Sequence, residues 1–226
     1  MPKRTLLGAV ILAALFASSC SEEESVLRRF FTAVRAKDTG TLSAMSAATY
    51  PWVIESWEIL GTESSTTEAF RLSEIKLEVE EKEKERQALV KEYTQFRLDN
   101  LKALKAIDAR LEVEPDCTFG AKLAPVHEEL VRYHEALRQL ELKRRALMDS
   151  SNRERTLARM SLRGAISDID DFDGDVSIKK VRVALAGEDG ATKNYVATLC
   201  RYDLANRENK FHPPSSWIVA ELEEEG

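Results

Sequence analysis

Between residues 68 and 112 the chain contains neither glycine nor proline. Glu, Lys, Arg, Leu, Ala and Gln dominate there, the residues that lose least on entering a helix. A stretch this long without a breaker admits little besides a long helix. Pro115, Asp116 and Gly120 interrupt it. A second run follows in which Leu123, Val126, Leu130, Tyr133, Leu137, Leu140, Arg144 and Leu147 alternate three and four residues apart, which is a heptad seam. The first run answers with Leu89, Tyr93, Phe96, Asn100, Ala103 and Ile107, where Asn100 is the polar residue expected to fix register. Two such arms joined by a short loop are expected to fold back as an antiparallel hairpin with Cys117 at its tip. Ser65 and Glu68 form a capping box that should open the first arm, and Ser151 and Glu154 form another that should break the second near residues 149–152. Outside the seam, Glu78/Lys82, Glu80/Lys84, Glu128/Arg132 and Glu141/Arg145 stand in the favourable four-residue order.

On either side of this block the pattern is different. Val26, Leu27, Phe30, Phe31 and Val34 fall on one helical face, and residues 38–40 stop that helix. A short helix with Leu42 and Met45 follows, then a strand over residues 52–60. After Gly164 the period changes to two: Val176 and Ile178, then Val181, Val183 and Leu185, with a change of parity at Lys179-Lys180 that predicts a bulge. Asp189-Gly190 is a hairpin turn, residues 195–202 the return strand, and residues 216–222 the last strand, with the acidic tail 223–225 fraying. The sequence therefore predicts an α+β fold. A small antiparallel-sheet head with N-terminal helices comes from residues 20–66 and 164–226, and a long antiparallel helical (coiled-coil) hairpin insert from residues 67–163.

The first nineteen residues have another character. Met1 to Arg4 is basic, Leu6 to Ala17 is an apolar run, and Ala17-Ser18-Ser19 is a small-residue cleavage site ahead of Cys20. The apolar run is too short to span a bilayer. A cysteine at the first mature position resembles the lipobox of bacterial lipoproteins, although Ala17 stands where that family usually has leucine. The resemblance implies an exported protein with Cys20 acylated, palmitate among its chains, and a membrane partner reached through that lipid. Two or more acyl chains make a stable anchor. Ser21 resembles the signal for outer-membrane sorting on the periplasmic side in organisms with two membranes. The formal charge of -6 becomes -8 when Lys3 and Arg4 leave with the leader, so the mature chain as a whole repels nucleic acid and anionic surfaces.

The two ends of the mature chain resemble a nuclear-transport-factor-2-like domain of small bacterial lipoproteins. The likeness rests on residues 30–38, a leucine at Leu42 and the Trp217-Ile218-Val219 ending. In that family a curved sheet and helices enclose a cone that holds a ligand or is simply packed. The insert at 68–163 departs from the family pattern.

Candidate chemistry is sparse. Residues 168–175 are rich in aspartate, but a calcium loop aligned on Gly174 would need acids where Ile169 and Lys180 stand. His127-Glu128 begins a zinc-protease pattern that fails at Val131, and His134 lies two turns from His127. His212 precedes Pro213-Pro214, in a loop. Neither a metal site, a cofactor site nor a Ser/His/Asp set is assembled. Trp52, Trp57, Tyr195 and Trp217 line a pocket or fill a core. Cys117 and Cys200 are either free or bridged, and a bridge between them is incompatible with an extended hairpin. The expected role is a non-catalytic scaffold, spacer or docking arm in the cell envelope. Its contact residues toward an envelope protein would be Leu123, Val126, Leu130, Tyr133, Leu137, Leu140 and Leu147. A small-ligand-binding head is the alternative, and a hydrolase or isomerase using the cone the third.

Overall fold

The computed structural model describes residues 22–50, 53–164, 166 and 168–225. The leader, Cys20, Ser21 and Trp52 lie outside them. The fold is mixed helix and sheet. Helix α1 (Glu22–Ala36) and α2 (Thr39–Met45) precede strand β1 (Ser56–Ala69). Helices α3 (Leu72–Asp99), α4 (Leu101–Val113) and α5 (Ala124–Ser161) follow, then β2 (Phe172–Ala186), β3 (Thr192–Asn206) and β4 (Ile218–Glu224). The strands form one antiparallel sheet in the order β1-β2-β3-β4.

α1 carries three glutamates in its first turn, where the positive end of the helix dipole favours them. It closes on Lys37, whose φ of 54° lets the amides of Lys37 and Asp38 return to the carbonyls of Val34 and Ala33. Asp38 then caps α2: its carboxylate accepts from the Thr41 amide at 3.0 Å and the Thr41 hydroxyl at 2.6 Å.

The parity change in β2 is not a bulge. Lys179 and Lys180 pair with Leu199 and Thr198 in unbroken register. Instead, the strand passes its apolar residues from one face of the sheet to the other. Val181, Val183 and Leu185, with Ala197, Leu199 and Val219, pack under α1 and α2 against Leu27, Phe30, Phe31 and Val34. Val176, with Cys200, Tyr202, Leu204, Ile218 and Ala220, packs on the opposite face against Phe70, Leu72, Leu157, Ala158 and Leu162. Odd-numbered positions of β3 serve one core and even-numbered positions the other, as a pleat of period two requires. The sheet's bulges lie elsewhere, at Leu60 and Glu63 of β1 and at Ala220 of β4.

Three boundaries differ from the sequence expectation. The first strand does not end at residue 60 but runs to Ala69, because residues 64–69 pair with residues 175–180 of β2. Ser65 and Glu68 are therefore strand residues and cap nothing, and α3 opens at Leu72. The second break is also missing. α5 runs unbroken through Ser151 and Glu154 because both continue the three-four alternation, with Ser151 buried. The acidic tail is held rather than frayed: Glu224 meets Lys193 at 2.8 Å and Glu225 meets Arg182 at 2.6 Å.

Candidate functional site

The arm begins where Leu72 and Ile75 are buried at the sheet. From there the inward residues of α3 and α4 keep one alternation to Ile107, and those of α5 keep another from Leu123 to Ser161. α3 and α5 run in opposite directions: Val79 shares a cleft with Met148 and Ser151, and Tyr93 and Phe96 meet Tyr133 at 5.5 and 5.2 Å. The predicted residues Leu123, Val126, Leu130, Tyr133, Leu137, Leu140 and Leu147 are all half-buried, and Tyr133 is the one that meets rings of α3.

Asn100 does not reach the other arm with its side-chain amide. The Asn100 side-chain amide donates to the Phe96 carbonyl of its own helix at 3.0 Å, where α3 gives way to α4. Arg86 and Arg144 occupy seam positions on the two arms. Each is clamped by the glutamate three residues before it, Glu83 and Glu141, and each feels the glutamate of the other arm. Hydrogen bonds from these arginines, with Gln87 and Arg145, hold Glu83 and Glu141 down to about 2. Of the expected four-residue pairs, Glu141–Arg145 forms at 2.9 Å, whereas Lys82 and Arg132 turn to Glu85 and Glu129 one turn away.

The arm is seated on the sheet by polar contacts around its apolar base. Asp170, in the 3-10 turn Ile169–Asp171, accepts from Lys76 of α3 at 2.7 Å and from Arg155 of α5 at 3.0 Å. One carboxylate thus ties both arms to the entry of β2. Ser161 is buried: its hydroxyl donates to the Ser216 carbonyl at 2.7 Å and accepts from the Tyr202 amide at 3.0 Å. Beside them a cleft of about 230 Å³ is bounded by Glu68, Arg71, Arg153, Glu154, Cys200 and Tyr202 among others. The Tyr202 hydroxyl donates to Glu154 at 3.3 Å. Burial pushes the Glu154 carboxyl up against the pull of that bond and of Arg71 and Arg153. Burial likewise pushes the Cys200 thiol up to about 11, so the cleft holds a protonated thiol and not a nucleophile.

The remaining candidates are structural. His134 Nε2 meets the Tyr93 hydroxyl at 2.8 Å, and His127 packs on Phe119 at 4.5 Å. His212 is exposed. Asp168 accepts from the Asp170 amide. Among the described residues no group of three or more His, Cys, Asp or Glu side chains is placed to hold a metal ion. Trp57 stacks on Phe31, and Tyr195 reaches Glu224. Both described cysteines are free; Cys117 lies in the α4–α5 loop and Cys200 in the second core. Neither the Asp170 tie nor the Ser161 clamp is legible along the chain, since each depends on residues brought together only by the fold. No described helix is long and apolar enough to cross a membrane. No family model matches this chain, and no curated protein or solved structure matches it either.

Proposed function

We propose that this protein is a bacterial envelope lipoprotein, anchored through lipid on Cys20. In this reading its nuclear-transport-factor-2-like head mounts a coiled-coil hairpin that acts as a spacer and docking arm. The observation that carries this is the braced root of the arm. Asp170 binds both α3 and α5, so the arm's direction is fixed relative to the sheet rather than left to a hinge. At about 1.5 Å per residue, α5 spans roughly 57 Å. The core under α1 and α2 is filled, with Leu27, Phe30, Phe31 and Val34 fully buried, which favours a mount over a ligand-binding cone. Along the arm, Leu98 is 64% and Val131 51% exposed, apolar contacts available to a partner.

The test places a photo-crosslinking amino acid at Leu98 or Val131 on the arm, or at Glu208 on the head, in intact cells. A discrete crosslinked species from the arm positions, absent at Glu208, is expected. Cys20→Ser should release the protein from the membrane fraction and abolish that species. Crosslinks from Glu208 with a silent arm overturn the docking role.

A further inference from the structure

A cavity of about 690 Å³ lies at the root of the arm, between α1, α2 and the last turn of α5. Its walls combine two chemistries. Arg29, Arg159 and Arg163 are cationic and exposed, whereas Val26, Met45, Met160 and Trp217 are apolar and more deeply set. Two further cations, Lys179 and Arg201, lie over the Trp217 ring at 5.2 and 5.0 Å. They are paired with Glu23 and Glu22. Trp217 is 4% exposed, and its indole Nε1 is a buried donor with no acceptor among the described residues.

Guanidinium groups select phosphate and carboxylate oxygens. The adjacent methionines offer an adaptable apolar surface. Together they describe an amphiphile with an anionic head. The position of the cavity narrows the choice. Glu22 lines it, and Cys20 is two residues away, within about 7 Å at full extension.

The geometry points to this cavity as a binding site for the phosphate headgroup of an anionic membrane phospholipid, taken from the bilayer in which Cys20 is anchored. The proposal rests on the lipid-anchor reading for the source of the ligand. Bound there, the lipid would hold the head against the bilayer in one orientation, and the arm would leave the membrane at a fixed angle.

Native mass spectrometry of the full acylated protein, released from detergent, tests it with added phosphatidylglycerol, phosphatidylcholine or inorganic phosphate. The covalent mass reports acylation of Cys20 and the non-covalent adduct reports the cavity, so the two readings fail separately. One phosphatidylglycerol per chain is expected, with phosphatidylcholine bound at least tenfold more weakly. Arg29→Gln with Arg163→Gln should lower phosphatidylglycerol occupancy at least tenfold while the circular dichroism spectrum stays that of the folded chain. Arg159 and Arg163 also offset the negative end of α5, so a second variant, Met160→Glu, attacks the apolar wall without removing a cation. Undiminished adducts in both variants overturn the site. Equal competition by inorganic phosphate overturns the assignment to a lipid.

Discussion

Asp170→Asn should loosen the arm from the head in a pH-dependent way. Asp170 is 28% exposed, and its partners Lys76 and Arg155 are 42% and 26% exposed. A hydrogen bond to a charged group contributes about 1.5–3 kcal/mol when sheltered, and screening reduces partly exposed pairs to about 0–1 kcal/mol each. The two pairs together should therefore contribute up to about 2 kcal/mol, or a fall in Tm of up to about 8 °C for a chain of this size. Burial alone would raise the Asp170 carboxyl, but hydrogen bonds and charge from Lys76 and Arg155 outweigh it and hold it below its usual 3.8. Its stabilisation is therefore complete above the unfolded value and is lost as pH falls through the folded one. Circular dichroism melts of parent and variant should show a constant gap from pH 7 to pH 5 that closes below about pH 4. Hydrogen exchange should rise in residues 72–80 and 150–158, at the root of both arms. A gap that does not narrow as pH falls below about 4, or faster exchange confined to the far end of the arm, would refute the reasoning.

Gly174→Ala should cost about 3 kcal/mol or more in urea unfolding. A Cβ there would meet the Asp203 carbonyl oxygen at 2.2 Å, at a φ of +151° that L side chains rarely adopt. A maleimide at pH 8 should label Cys117 readily and Cys200 only after denaturation, because Cys200 is buried and its thiol is pushed up to about 11; fast labelling mapped to Cys200 would contradict this. Glu154→Gln should raise Tm at pH 7–8 and lose that advantage toward pH 4. The folded carboxyl is raised by burial, so Glu154 stabilises only while protonated, and that contribution is lost as pH rises through its folded value.

The helices were legible because their signals are local and repeated. The seam positions from Leu123 to Leu147 are half-buried, and α1 ends at Ala36, just ahead of the Asp38 that caps the next helix. The errors came where a local signal met a longer-range contact. Ser65 and Glu68 have the spacing of a capping box, but pairing with Lys179 and Val176 satisfies their backbone in a strand. Lys179-Lys180 has the parity change of a bulge, but helices lie on both faces of this sheet. The same change therefore marks the handover between two cores. Asp170 looked like one member of an acidic cluster, and nothing in its neighbours along the chain predicts Lys76 or Arg155 as partners. Cys20 lies outside the described residues, so the lipid anchor rests on the leader's pattern.

The topology also decides how the arm can be removed. β1 and β2 are hydrogen-bonded neighbours, with Ala69 opposite Asp175, so the arm leaves and returns at one place as an expanded hairpin connection. Loop closure costs only about 0.6 kcal/mol per doubling of length, so shortening the connection does not strain the sheet. What matters is where the cut falls. Replacing residues 68–163 would remove Phe70, Leu72, Leu157, Ala158 and Leu162 and bare the face bearing Phe172, Val176, Tyr202, Leu204 and Ile218. At about 1.5–3 kcal/mol for each side chain exposed, five of them amount to roughly 10 kcal/mol, as much as a whole domain's stability. Replacing only residues 81–147 with a short Gly/Ser linker keeps that cover, and Val79 and Met148 already line one cleft at the junction. The shorter deletion should give a cooperative melt with the head's sheet signal intact, and the longer one an aggregated or unfolded chain. If both unfold, the distal arm stabilises the head; if both fold, the second core is dispensable and the two-faced account of the sheet is wrong.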